Sequence, residues 1–377
     1  MLQLDYIIDS FSKTKVRKMK PFIRNLLRMS VYQIKYMDAV PDSAVCNEAV
    51  KLAKRHKFAQ LSGFVNGVLR NIARNIDSVQ FDTLSIRYSM PQWIVDRFVA
   101  AYGEKKAEEI FKAFHNKSTI SIRTNLTRCT PDELRAMLEA EGVTVTAVDE
   151  LDYAFVISGF DYLNGLQSFR DGLFYVQDIS SMLVAQTAGP KKGDYVIDVC
   201  AAPGGKSTHI AELLQGSGHV LARDLTDNKV DMIEENIDRH GLKNMSAEVW
   251  DATVPDADSA GKADILICDL PCSGLGVLGR KKDIRYKMTP ESVDELAALQ
   301  RQILDTVHTY VKPNGVLVYS TCTIDEAENE DNVRWFIEKH PEFELDKSFA
   351  EGTGMKQILP GEHGSDGFFI ARFIKSK

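Results

Sequence analysis

Residues 195–207 read Tyr-Val-Ile-Asp-Val-Cys-Ala-Ala-Pro-Gly-Gly-Lys-Ser. An apolar run, 195–199, passes through the turn Ala202-Pro203-Gly204-Gly205 into a helical segment, 207–214. A strand that feeds a helix through glycines opens a doubly wound α/β sheet. The glycines let the backbone approach a ligand, and the helix N-terminus favours negative charge. The turn carries neither GxGxxG nor a P-loop, so no dinucleotide pyrophosphate or triphosphate is indicated. A carboxylate of amino-acid type suits the same N–H groups.

Strand and helix alternate downstream of that turn. Runs 220–222, 247–250, 265–268 and 316–319 read as strands, and 228–240, 290–311 and 326–340 as helices. Residues 368–374 read as a closing antiparallel strand at the sheet edge. The pattern predicts a mostly parallel sheet whose ligand lies at the carboxyl ends of its strands. Residues 116–190 read as a small α/β insert. It has strand-like runs at 121–125, 143–148 and 154–157, and a helix over 130–141 with Thr130 and Glu133 as a capping box. Residues 1–115 show only helical periodicity, with Ile23, Leu26, Leu27, Val31 and Ile34 as the first stripe. The expected domains are therefore 1–115, 116–190 and 191–377.

Three acids close successive strands after the glycine turn: Asp224, Asp251 and Asp269. An acid about 20 residues past such a turn is placed to bond ribose hydroxyls, which suits Asp224. Asp251, one strand later, is placed to accept from an adenine amino group. A carboxylate facing the sulfonium of S-adenosylmethionine is electrostatically favourable too. A single strand-end Asp is commonplace; three in register with a glycine turn form a pattern.

Two cysteines sit just past buried-type strands. Cys272 lies in Asp269-Leu270-Pro271-Cys272-Ser273-Gly274, and Cys322 in Tyr319-Ser320-Thr321-Cys322-Thr323. Either alone would read as a small core residue. Together, beside a nucleotide-type turn, they suggest covalent chemistry on a base. Cys46, Cys129, Cys200 and Cys268 read as structural. None of the six cysteines forms a CxxC pair, so neither a disulfide framework nor a zinc site is expected, and no metal. A reducing cytoplasm is the expected compartment.

The chain of 377 residues has ordinary globular composition, 44% hydrophobic and 26% charged. No apolar run approaches the roughly 18 residues of a membrane span. The net charge of −7 conceals an asymmetry: residues 1–119 hold 20 Lys/Arg against 11 Asp/Glu, while the remainder is strongly acidic. Lys13, Lys15, Arg17, Lys18 and Lys20 cluster ahead of Pro21. A basic module joined to an acidic one suits a polyanion-binding domain beside a catalytic domain.

These motifs carry a resemblance. Residues 200–206, 269–274 and 321–323 together resemble the RNA cytosine-C5 methyltransferases of the NOL1/NOP2/Sun group. The segment 63–70 looks like the final helix of a NusB-like domain, and the ending Asp366-Gly367-Phe368-Phe369 suits the group. The resemblance implies a Rossmann-like class I methyltransferase sheet preceded by a NusB-like RNA-binding domain. That domain is expected to be shortened, since members carry further helical turns before the region that starts here at Met1. It also implies S-adenosylmethionine as cofactor, held by Cys200, Ala201, Ala202, Pro203, Gly204, Gly205, Lys206, Asp224, Asp251 and Asp269. The implied substrate is a flipped-out cytosine of 16S ribosomal RNA, at position 967. Cys322 is the implied nucleophile, adding to C6, and Cys272 assists breakdown of the adduct. In the DNA enzymes the Pro-Cys thiol attacks instead. Asp269 is expected at the cytosine edge, and Lys206 at the base or at the cofactor carboxylate. Arg280-Lys281-Lys282 is expected to hold phosphates, while Tyr286 reads as a core or surface residue more than as a stacking platform.

Other readings compete. The nearest alternative to 16S ribosomal RNA is the same chemistry on transfer RNA or another ribosomal site. An RNA-binding assembly factor with an inactive catalytic domain would need neither thiol. Amino-directed methylation uses an Asn/Asp-Pro-Pro-aromatic turn where this chain has Asp269-Leu270-Pro271-Cys272.

Overall fold

Apolar residues at helical spacing build the first of two units, Met1–Lys112; the second is Ala113–Lys377. The computed structural model describes residues 1–116 and 119–376. In the first unit α1 (Leu2–Phe11), α2 (Pro21–Tyr36), α3 (Asp42–Arg55) and α4 (Ser62–Asn75) enclose Ile8, Leu27, Ala53, Val65 and Ile72. Pro21 occupies the first turn of α2, where its missing N–H costs nothing. Between α1 and α2, Val16 and Met19 turn inward and Lys13, Lys15, Arg17, Lys18 and Lys20 outward. Asp9 pins that loop by accepting from Val16 N at 2.7 Å. Then follow α5 (Leu84–Arg87), α6 (Gln92–Tyr102) and α7 (Glu104–Ala113), with Phe98 stacked on Phe111.

The second unit opens with a four-stranded antiparallel sheet. It contains β1 (Ile120–Thr124), β2 (Thr144–Val148), β3 (Leu151–Ser158) and β4 (Phe174–Val176), in the order β2-β3-β1-β4. Helix α8 (Pro131–Ala140) carries the Thr130/Glu133 capping box, and α9 (Gln167–Arg170) precedes β4. Helix α10 (Ile179–Ala188) leads into the larger sheet.

That sheet begins with β5 (Tyr195–Asp198), α11 (Gly205–Leu213), β6 (His219–Asp224), α12 (Asp227–His240) and β7 (Met245–Val249). It continues through β8 (Ala263–Asp269), α13 (Ile284–Lys287), α14 (Pro290–Val307), β9 (Val311–Thr321) and α15 (Glu330–Lys339). It ends with β10 (Phe343–Leu345), β11 (Met355–Ile358) and β12 (Phe368–Lys375). The order is β10-β12-β9-β8-β5-β6-β7, with β11 also on β12; β5 to β9 are parallel. Strand order reverses between β5 and β8, so a crevice opens at their carboxyl ends. Apolar side chains cover both faces, Leu304, Val307 and Phe336 on one and Ala185, Ile210 and Ile233 on the other.

Three expectations change. The closing strand is antiparallel but interior, because β10 and β11 pair along its outer side. Both are short and lack clear alternation. The helix expected from residue 326 starts at Glu330, since 326–329 form a turn. The helix expected over 290–311 ends at Val307, with a 3-10 turn and then β9 taking the rest.

Candidate active site

The glycine turn is held from three sides. Gly204 takes φ +101°, a conformation that strains any residue with a Cβ. Asp224, at the end of β6, accepts from Ala202 N (2.9 Å) through Oδ2. Its Oδ1 accepts from Leu225 N and meets Lys229 Nζ, both at 2.8 Å. Behind the turn the buried Arg123 of β1 donates to Gly205 O (2.8 Å) and Glu212 Oε1 (2.9 Å). The first turn of α11 is thereby fixed before any ligand arrives.

Lys206, on that first turn, reaches across the crevice to Asp269 Oδ2 at 2.7 Å. Ser320 on β9 donates to Asp269 Oδ1 at 2.8 Å. Burial works to lower the Lys206 ammonium, but Asp269, Asp198 and Cys322 around it hold it above the ordinary lysine value. Asp198, at the end of β5, is fully buried with Ser207 Oγ at 2.5 Å, and burial pushes it up to about 7.

The two thiols meet beside this pair. Cys272 Sγ and Cys322 Sγ are 3.2 Å apart, and neither is in a disulfide. The hydrogen bond from Cys272 lowers the Cys322 thiol; burial and Asp269 oppose it, while Lys206 and Lys281 reinforce it. The same contact raises Cys272 well above the ordinary range, followed by burial and the Glu328 charge. The contact itself is symmetric, and either sulfur could donate; the surroundings favour ionisation of Cys322 over Cys272.

A buried polar network carries both loops. Glu328 accepts from Ser273 N (2.9 Å), from Ser273 Oγ and from Gln300 Nε2 (3.0 Å). Burial raises its carboxyl. Gln300 also donates to Pro271 O at 2.9 Å. Asn329 accepts from Thr321 Oγ1 (2.6 Å) and donates to Thr323 O (3.1 Å), bracketing Cys322. Gly276 donates to Cys322 O at 3.1 Å, and a Cβ there would come within 2.2 Å of Gly367 O.

The expected residues separate into two groups. Cys200, Ala201, Ala202, Pro203, Gly204, Gly205, Lys206, Asp224, Asp269, Cys272 and Cys322 all sit at the carboxyl ends of β5, β6, β8 and β9. Asp251 follows β7, is exposed, and holds Thr253 N and Oγ1 at 2.9 and 2.7 Å. Arg280 is committed elsewhere: it pairs with Asp178 Oδ2 (2.9 Å) and Asp366 Oδ2 (2.6 Å), so its guanidinium is not the open phosphate contact expected. Tyr286 is exposed. Asp198, Glu328 and Asn329 escaped sequence reasoning. Asp198 reads as an ordinary strand residue. The signal for the other two was a Glu-Asn pair inside a supposed helix start, with no basic partner nearby.

The donor set fits a nucleoside bearing an amino-acid tail. In the glycine turn Ala202 N donates to Asp224 and Gly204 N to Ala201 O, and acids lie at or just past the ends of β6, β7 and β8. No helix among the described residues is long and apolar enough to cross a membrane.

Residues 185–374 match the family profile described as 16S rRNA methyltransferase RsmB/F. Residues 1–74 match the NusB family, and 90–160 a ferredoxin-like domain of RsmF/B-like methyltransferases. The chain is 38% identical to a probable ribosomal RNA small subunit methyltransferase B of Bacillus subtilis, over 99% of this chain and 87% of that one. It is 32% identical to ribosomal RNA small subunit methyltransferase B of Salmonella paratyphi A, over the same shares. Among solved structures it resembles a methyltransferase homologue from Pyrococcus horikoshii, with TM-score 0.66 and 26% identity over 77% of this chain and 97% of that one. It also resembles NSun6 from Pyrococcus horikoshii with SFG, with TM-score 0.68 and 25% identity over 76% and 98%. The fold is that of the S-adenosylmethionine-dependent methyltransferases.

Proposed function

We propose that this chain, which belongs to the RsmB/F family of 16S rRNA methyltransferases, methylates C5 of a cytosine in 16S ribosomal RNA through a covalent adduct. The observation that carries the proposal is the thiol pair 3.2 Å apart beside the Lys206–Asp269 ion pair. S-adenosylmethionine, when bound, supplies the electrophilic methyl group. Ala202 to Gly205 would face its carboxylate, Asp224 its ribose, exchanging Lys229 for hydroxyls, and Asp251 its adenine.

Cytosine C5 is too weak a nucleophile on its own. Attack of the Cys322 thiolate on C6 places electron density on C5, which then takes the methyl group. Asp269 holds the amino or protonated N3 edge of the base, and Lys206 offsets the Asp269 charge beside Cys322. After methylation the C5 proton must leave before the C6–S bond breaks. Cys272 is set up for that step by its own coupling. Its high pKa rests first on the hydrogen bond to Cys322. Once Cys322 is a thioether that cause is gone; the Cys272 thiol, still raised by burial and Glu328, releases its proton to solvent, and the resulting thiolate takes the C5 proton. The electron pair returns to the C5–C6 bond and expels Cys322 as thiolate.

The base must leave any stack to reach this crevice, which favours an unpaired loop. The exposed cluster Lys13, Lys15, Arg17, Lys18 and Lys20 supplies phosphate contacts. The test is methyl transfer to 16S RNA followed by bisulfite mapping. 5-Methylcytosine at position 967 alone is expected. Methylation of transfer RNA only, or at an exocyclic nitrogen, would overturn the proposal.

A further inference from the structure

At the opposite end of β9 from the thiols, three segments bring imidazole and carboxylate groups together. His308 follows α14, His340 follows α15, and Glu342 leads into β10. His308 Nε2 lies 3.7 Å, and His340 Nδ1 4.0 Å, from the same oxygen, Glu342 Oε1. The two rings pack with centroids 4.0 Å apart, walled by Phe336 and Phe343.

The far side of each ring adds a second, independent observation. His340, more than nine-tenths buried, turns Nε2 toward Asp305 Oδ1 at 3.2 Å. His308 Nδ1 and His340 Nε2 are both buried without a hydrogen-bond partner, so the Asp305 contact is one of proximity and charge. Imidazole nitrogens set in an apolar wall are costly unless they are used. An imidazole with one nitrogen turned to a carboxylate and the other toward a shared ligand oxygen is the arrangement of a metal-bound histidine. The flanking cations are engaged elsewhere: Lys339 pairs with Asp305 Oδ2 (2.9 Å) and Lys375 donates to Val311 O (3.0 Å).

We propose that His308 Nε2, His340 Nδ1 and Glu342 Oε1 bind one divalent ion of the zinc class, with water in the remaining position. Two imidazoles and one carboxylate suit zinc over magnesium or calcium, which prefer all-oxygen sites. The three atoms already lie within 4.8 Å of one another. A tetrahedral site needs about 3.3 Å between ligands, from bonds of about 2.0–2.1 Å. The half-exposed Glu342 makes that closure by side-chain rotation. The bound ion ties the ends of α14 and α15 to the outer strand β10, far from the thiols. Cysteine spacing could not reveal this site, because its ligands come from three separate segments and none is a cysteine.

The test uses the full, untagged, chelator-treated chain with Cys272→Ser and Cys322→Ser, which removes the thiols as rival ligands. Titration with ZnCl₂ is expected to fill one site per chain and to raise Tm by a few degrees; MgCl₂ is expected to do neither. Glu342→Gln, at a half-exposed position that leaves packing intact, is expected to weaken zinc binding at least about tenfold, and Asp305→Asn by about tenfold. His340→Gln, checked for folding by circular dichroism, is expected to abolish it. No zinc bound by the parent chain, or equal binding in Glu342→Gln and His340→Gln, would overturn the proposal.

Discussion

The loops after β8 and β9 invite comparison, because each follows a parallel strand with a half-buried thiol and the two sulfurs share one contact. Burial raises both thiols, so it cannot distinguish them. Their mutual hydrogen bond acts most strongly on each; beyond it Cys322 has Asp269 against its ionisation and Lys206 and Lys281 for it, while Cys272 has Glu328 against. Two equivalent side chains are thereby shifted in opposite directions, Cys322 down and Cys272 up. The lesson is that reactivity here follows from which charges the adjoining elements deliver: Lys206 from the first turn of α11, Glu328 from the turn before α15.

The largest expected effect comes from deleting the acceptor. Cys322→Ser should cut methyl transfer by more than about 10³-fold with RNA affinity kept. A loss under tenfold would make the two loops interchangeable. Next is the charge that separates them. Lys206→Met should lower kcat by about 10²-fold and move the acidic limb of the rate profile to higher pH. The sign follows from the lowered Cys322 value: activity rises as that thiol ionises, and removing Lys206 delays the ionisation. An unmoved limb would mean that Lys206 acts only through the cofactor or the base.

Glu328→Ala should destabilise the second unit by about 2–4 kcal/mol in urea unfolding, because Ser273 N, Ser273 Oγ and Gln300 lose a buried acceptor. Glu328→Gln, which keeps an acceptor, should recover much of that stability. Equal losses in both would make the charge rather than the hydrogen bonding the structural requirement. The smallest effect is expected outside the pair: Asp251→Ala should raise KM for S-adenosylmethionine about fivefold, with kcat and Tm unchanged.

Much of this architecture is written in local pattern. The strand-turn-helix at 195–207 and the acids closing β6, β7 and β8 are short-range signals, since a two-residue or 3.6-residue period reports on its own neighbours. The interior position of β12 is a pairing fact, and β10 and β11 are too short to announce themselves. Residues 326–329 look helical because Glu and Ala favour helices, yet Glu328 and Asn329 turn inward to reach loops more than five residues away. Arg280 reads as one of three basic neighbours, and only the fold brings Asp178 and Asp366 to it. Charge partners distant in sequence set the thiol chemistry, so the thiols themselves were legible and their difference was not.

The most direct test of that difference is a denaturing gel of the Cys272→Ala and Cys322→Ala chains after reaction with 16S RNA and S-adenosylmethionine. A covalent RNA–protein band that accumulates in Cys272→Ala and is missing in Cys322→Ala is the predicted result. The reverse pattern would make Cys272 the nucleophile and contradict the account.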